Sequence, residues 1–526
     1  MTDADGPGDV VFVVMDTVRK DHLTVYGHDR PTTPGLEDFA EEAAVFEGAV
    51  AQAPWTLPSH ASMFTGLYPG EHCASQETPY LEDATTLAES LSAAGYDTAC
   101  YSSNAWITPY THLTDGFDEQ DNFFQVMPGD FLSGTLARAW KTMNDNDALR
   151  GLADKLVAIG NMFHERFAGS GSEDSKTPQV IDRTREFVAD ADDSYFAFVN
   201  LMDAHLPYYP PEEYREEFAP GVDPDEVCQN SKEYNCGARD IDDEEWKAIR
   251  GLYDAEIRHI DAEVRRLFDW LQEADEWEDT LVIVTADHGE LFGEHDLYGH
   301  EFGIYDPLVN VPLLVKHPDL DPGRYDYQLE LLDLYHTILD HTGVGRADGG
   351  VPFDPARSLL RDDHRAFGVD GEGDEEAEEE DTPIAADGDA QPGGPHGPGD
   401  TAFVEYTRPV VELNQLENKA SAAGIDLDEQ SRFYSRMRAA RRTDAKYIRN
   451  ERIADEFYRI DEDPGETEDL AGGDDPAEDE LEAALSAFED RVGRWDSDDG
   501  AEAGEDSLSD MDDDAKERLR DLGYID

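Results

Sequence analysis

Three separated places in the chain carry residue types that could hold a cation beside a hydroxyl group. The apolar run 10–15 ends at Asp16, and a second run, 280–286, ends at Asp287-His288. Between them Thr56 opens the stretch Thr-Leu-Pro-Ser-His-Ala-Ser-Met-Phe-Thr-Gly. Two carboxylates, one imidazole and one hydroxyl can ligate a single divalent cation. Carboxylate oxygens suit Mg²⁺, Mn²⁺ or Ca²⁺, and the imidazole moves the preference from Ca²⁺ toward Mn²⁺ or Mg²⁺. Such an ion lowers the pKa of a hydroxyl at Thr56, making it a nucleophile, and polarises an oxygen of the ester it attacks. His205, in a Pro-rich turn, and His300, in a Gly- and His-rich loop, are placed to donate to a non-bridging oxygen or to protonate a leaving group. Lys316 and Arg19 are available for an anion contact or for ion pairs. Each residue also has an ordinary use: Thr and Asp commonly cap helices, and a His in a rigid turn is commonly structural.

The elements that must position these residues follow from periodicity. The runs 10–15 and 280–286 read as strands buried on both faces, and an Asp just past such a strand stands where open α/β sheets bind ligands. Thr56 sits just before a helix whose first turn suits Pro58 and whose end suits Gly66. Unpaired N–H groups there favour an anion. Helical patterns cover 32–44, 86–94, 180–188, 245–273 and 329–341, and strand patterns cover 97–101, 195–202 and 311–318. Pro312 suggests that the last of these is an edge strand or a strand start. The helix–Gly–strand rhythm predicts an α/β fold with a large, mixed, mostly parallel sheet sandwiched by helices. Residues 107–177 give no clear reading.

The chain divides by composition. Residues 1–365 carry all the chemistry. The acidic, Gly/Pro-rich stretch 366–400 reads as a disordered insert or linker. Residues 401–470 read as a small α+β unit, with 445–450 and 456–460 pairing in an antiparallel sheet, and 471–526 as an acidic tail with a last helix around 515–522. There are no internal repeats.

At 526 residues, with 41 Lys+Arg against 122 Asp+Glu, the net charge is −81. Nucleic acid and anionic membrane surfaces are poor partners for that field. Acid spread over helices and loops suits a halophilic protein, because at 1 M salt a Debye length of about 3 Å screens the self-repulsion. Four cysteines are too few for a disulfide scaffold; Cys228 and Cys236 flank one loop, and free thiols are the expectation. No apolar stretch is long enough for a membrane span, and the first residues lack the basic and apolar regions of a signal peptide, so a cytoplasmic location is expected.

Several motifs resemble the sulfatase family of the alkaline phosphatase superfamily. Val11-Phe-Val-Val-Met-Asp-Thr-Val-Arg-Lys-Asp-His-Leu resembles the family's first strand and metal ligand. Thr56-Leu-Pro-Ser-His-Ala-Ser-Met-Phe-Thr-Gly is similar to its Cys/Ser-x-Pro-Ser-Arg signature. Thr285-Ala-Asp-His-Gly-Glu resembles the second metal motif, and Val311-Pro-Leu-Leu-Val and the late Asp-Pro…Glu-Asp-Leu segment resemble later family elements. The resemblance implies an alkaline-phosphatase-like fold and a metal-dependent hydrolase of sulfuric or phosphoric esters, small-molecule or glycan. It implies metal ligands at Asp16, Thr56, Asp287 and His288, catalytic roles for Thr56, His205 and His300, and substrate contacts at His60, Asn104 and Lys316.

This sequence departs from the family pattern at four points. The residue that sulfatases oxidise to formylglycine is Thr56, whose methyl group blocks the aldehyde. The following Arg is His60, the second Asp of the first pair is Thr17, and the Lys-x-His segment is Ser102-Ser-Asn104. An unmodified Thr is similar to superfamily members that act on phosphoesters, such as lipoteichoic acid synthases. Phosphoryl transfer to an alcohol, phosphodiester cleavage, and a non-catalytic binding protein therefore stand as alternatives to hydrolysis.

Overall fold

Six consecutive apolar residues cannot alternate between core and water, so Val10–Met15 (β1) must be covered on both faces, and all six are buried. The computed structural model describes residues 8–123, 175–360 and 401–494, apart from 83, 192 and 347–349. The stretch 366–400 and the expected helix near 515–522 lie outside the described residues.

The main sheet is completed by β2 (Ala44–Val50), β3 (Asp97–Ser102), β4 (Glu119–Asn122), β5 (Tyr195–Leu201) and β6 (Leu281–Thr285). After the short pair β7 (Leu291–Phe292) and β8 (Tyr298–Gly299) come β9 (Asn310–Lys316) and β10 (Gly323–Glu330). The order is β10-β2-β9-β6-β1-β5-β3-β4. The described strands of this sheet run one way except β9, which is antiparallel to both its neighbours. The carboxyl ends of β1, β2, β3, β5 and β6 therefore share one edge. Helices such as Thr177–Asp190 and Asp243–Glu273 cover the faces, the latter capped by Asp242 at the Glu245 N–H.

Three expectations need correction. The helix expected over 32–44 is only Pro34–Ala40, and β2 begins at Ala44. Apolar residues at 43–46 fit either period over so short a window. The helix expected over 329–341 starts at Asp333, because Leu329 and Glu330 extend β10 along β2. Finally, β9 is an interior strand. Its Pro312 faces a bulge: Phe46 pairs with Leu313 and Ala49 with Val311, leaving two β2 residues opposite one proline. The bulge is filled by the Tyr26 hydroxyl, which bonds Leu313. Pro312 turns its backbone toward β6 just past that strand's last pair, Thr285 with Leu313, so its missing N–H costs no ladder bond.

A second, antiparallel sheet follows: β11 (Ala402–Tyr406), β12 (Met437–Arg441), β13 (Lys446–Asn450) and β14 (Glu456–Tyr458), in that order. Helix Pro476–Val492 packs on it, with Phe488 stacked on Phe403 at 4.3 Å. This unit grips the segment that leads into Thr56. The Glu405 N–H donates to the Gln52 carbonyl at 2.9 Å, and the Phe403 N–H donates to Glu330 Oε1 at 2.9 Å. Glu330 Oε2 accepts from the Tyr68 hydroxyl at 2.6 Å, and Glu405 Oε1 accepts from the Gly70 N–H at 2.7 Å. Among the described residues, no helix is long and apolar enough to cross a membrane, and all four cysteines are free thiols.

A buried ion cluster joins the two sheets. Asp306 accepts from Arg441 Nη2 at 2.7 Å and Lys446 Nζ at 3.1 Å, and Lys446 also meets Glu466 at 2.9 Å. Burial alone would raise the Asp306 carboxyl; Arg441 and Lys446 overcome that and hold it well below the usual range. Asp306→Ala leaves the buried Arg441 without its carboxylate and Lys446 with only Glu466. It is expected to cost about 3–5 kcal/mol of stability, read as a lower denaturation midpoint.

Candidate active site

Asp16 ends β1, where its N–H still donates to the Leu201 carbonyl at 2.9 Å. Its Oδ2 accepts from Asn104 Nδ2 at 2.7 Å and Asn200 Nδ2 at 3.1 Å. Asp287 follows β6, and its Oδ1 accepts from the N–H groups of Thr17 at 3.2 Å and His288 at 3.0 Å. His288 donates from Nδ1 to the Gly289 carbonyl at 3.0 Å, which leaves Nε2 with its lone pair. The ligand atoms of Asp16, Asp287 and His288 lie within 4.8 Å of one another. Asp16 Oδ1, Asp287 Oδ2 and His288 Nε2 are all buried without a hydrogen-bond partner. Buried polar atoms are nearly always paired, so three orphans in one cluster of this chemistry fit a divalent cation. Burial pushes the Asp287 carboxyl up to about 7 and the His288 imidazole down to about 3.

Thr56 stands beside this cluster. It is the first residue of helix Thr56–Thr65, one place later than the sequence reading put it, with Trp55 at the cap. Gly66 closes the helix in the left-handed conformation, as expected. Asn104 Nδ2 reaches the Thr56 hydroxyl at 3.2 Å while holding Asp16, so one amide orients both. Ser59 donates to the Asp287 carbonyl at 2.8 Å, tying the helix to β6.

An imidazole series leads outward. The His288 and His300 rings are 4.5 Å apart, and those of His300 and His205 are 5.2 Å apart. His300 Nδ1 shares a hydrogen bond with Glu290 Oε1 at 3.1 Å. Burial lowers His300 to about 4 and raises Glu290 to about 8. His205 donates from Nδ1 to the Leu206 carbonyl at 2.7 Å.

The structure thus brings together Asp16, Thr56, Asn104, Asp287, His288, His300 and His205. His60 joins from the helix interior. It is fully buried, donates to the Thr56 carbonyl at 2.9 Å, and has Nδ1 3.5 Å from Asp287 Oδ2, with burial lowering it to about 4. Lys316 is not brought to the site. It ends β9, the strand that runs against the rest, so it lies at the opposite edge of the sheet. There its ammonium donates to the carbonyls of Trp277, Glu278 and Thr280 and sits over the Trp277 ring. Arg19 is also committed elsewhere, to Asp21, Glu294 and the Glu290 carbonyl. Sequence reasoning missed Asn200 and Glu290. Asn200 had a signal: it is a lone amide inside the apolar run 195–202.

Comparison with known proteins follows the same lines. Residues 8–344 match the family model described as Sulfatase. The chain is similar to an arylsulfatase of Clostridium perfringens, 26% identical over 373 residues, covering 64% of this chain and 76% of that protein. It is also similar to a multifunctional alkaline phosphatase superfamily protein of Trinickia caryophylli, 27% identical over 388 residues, covering 64% and 73%. The crystal structure of the phosphonate monoester hydrolase of Agrobacterium radiobacter superposes with a TM-score of 0.63 at 20% identity, covering 92% of this chain and 95% of that one. A structure solved with D-glucosamine-2-N,6-O-disulfate gives 0.61 at 17%, covering 94% and 99%. These two share the alkaline-phosphatase-like fold. The matched region contains every residue of the cluster, and the chain belongs to the sulfatase family.

Proposed function

We propose that this sulfatase-family hydrolase of sulfuric or phosphoric esters attacks with the Thr56 hydroxyl and works with one divalent cation at Asp16, Asp287 and His288. The observation that carries this reading is the set of three unpartnered, buried ligand atoms next to an oriented hydroxyl. A bound Mn²⁺ or Mg²⁺ supplies Lewis-acid charge at that spot, which favours the ionised hydroxyl and draws electron density from the ester. The side chains do the rest. Asn104 holds the Thr56 oxygen, and the start of the helix offers N–H groups to the ester's anionic oxygens. Thr56 Oγ1 forms the bond to phosphorus or sulfur as the bond to the leaving oxygen breaks. His300, its ring fixed by Glu290, or His205 takes the proton that Thr56 Oγ1 loses and delivers it to that oxygen. A water oxygen then bonds to the phosphorus or sulfur as its bond to Thr56 Oγ1 breaks, and a proton from that water restores the Thr56 hydroxyl.

An unmodified Thr favours phosphorus. Its Cβ carries a methyl group, so it cannot become the aldehyde whose hydrate expels sulfate. The phosphonate monoester hydrolase among the neighbours is consistent with a phosphorus ester, and the sulfated glucosamine of the other neighbour with a glycan ester. Paired kinetics on aryl phosphate mono- and diesters, aryl phosphonates and aryl sulfates, with Mn²⁺ in high salt, test this. Turnover of a phosphorus ester at least about tenfold above the sulfate is expected. Faster sulfate turnover overturns the preference, and no cleavage of any member overturns the enzymatic reading.

A further inference from the structure

Thr17 is β-branched and yet sits in the left-handed region, at φ 59°. A residue of that type is strained there and persists only where its surroundings enforce it. Its N–H donates to Asp287 Oδ1, and its hydroxyl donates to the Asp16 carbonyl at 2.7 Å. The hydroxyl is thus turned back on its own backbone, while the peptide ties one carboxylate-bearing segment to the other.

What enforces the turn is Tyr253, on helix Asp243–Glu273. Its fully buried hydroxyl donates to the Thr17 carbonyl at 2.7 Å and accepts from the Arg19 N–H at 2.7 Å. It spans the turn on both sides. The next residue, Asp254, is paired with His22 at 2.7 Å and Arg30 at 2.6 Å, which locks the helix to the loop that follows Thr17.

We infer that Tyr253 is a positioning residue: it holds the strained Thr17 turn and thereby sets Asp287 against Asp16 at the spacing a divalent cation needs. This rests on the cation reading above. Groups behind the ligands commonly matter about 10–100-fold to metal affinity. Tyr253→Phe keeps the ring and deletes the clamp.

The test is Mn²⁺ binding by equilibrium dialysis on the full chain in high salt, with circular dichroism confirming the fold. Tyr253→Phe is expected to weaken the Mn²⁺ Kd about 10–100-fold, and excess Mn²⁺ to restore kcat to within about threefold of wild type. Glycine takes positive φ without strain, so Tyr253→Phe combined with Thr17→Gly should bind more tightly than Tyr253→Phe alone. A Tyr253→Phe Kd within about threefold of wild type, even with a lower melting temperature, overturns the inference and leaves the cation reading standing. A wild-type protein that binds no Mn²⁺ overturns both.

Discussion

Thr56→Ala is expected to lower kcat at least about 10³-fold on every ester the protein cleaves, with the fold unchanged. The change removes one oxygen and one methyl group from a helix start that alanine tolerates. The partner left behind, the Asn104 amide, keeps its bond to Asp16. The loss should therefore appear in turnover and not in thermal stability. Thr56→Ser keeps the hydroxyl and should keep kcat within about tenfold. Intact mass of the Thr56 peptide should match unmodified threonine, and rapid quench with a phosphorus ester should add the phosphoryl group at that residue. Retention of more than a tenth of kcat by Thr56→Ala would remove it as the nucleophile.

The second large effect is loss of activity on removal of the divalent cation, with a defined pH dependence. Chelation is expected to lower kcat at least about 10³-fold, reversed by Mn²⁺ or Mg²⁺. Without the ion, burial holds the Asp287 carboxyl near 7 against an ordinary 3.8. From about pH 4 to 7 the unfolded chain has lost this proton while the folded chain keeps it. This group therefore makes the cation-free protein less stable as pH rises through that window. A cation binds the ionised form and releases the proton, so affinity should fall as pH drops below about 7. Melting temperatures with and without Mn²⁺ should differ more at pH 8 than at pH 5. An equal difference at both values would exclude Asp287 as a ligand.

Much of this site was legible before the structure. The run ending at Asp16 is apolar throughout and the run ending at Asp287 is broken only by Thr280 and Thr285, and only a strand buried on both faces needs that. Parallel strands then deliver their last residues to one edge, which also explains His205 and Asn104. Lys316 was misplaced for the same reason: strand direction is set by the sheet, and β9 alone among the described strands of the main sheet is reversed. The short windows at 43–46 and 329–330 fit helix and strand equally. The turn at Thr17 and its clamp by Tyr253 were invisible for a different cause. A left-handed backbone at a threonine breaks local preference, and its clamp lies 236 residues away.

The grip of β11 on Gln52, Tyr68 and Gly70 has a practical corollary. Every motif of the reactive centre lies before residue 345, and a protein engineer would be tempted to discard the remainder. Yet the late sheet braces the helix that begins at Thr56 fore and aft, so a shortened chain would carry all the right letters on an unsupported post. The unit at 401–494 is better regarded as the buttress of the helix that begins at Thr56 than as a separable appendage.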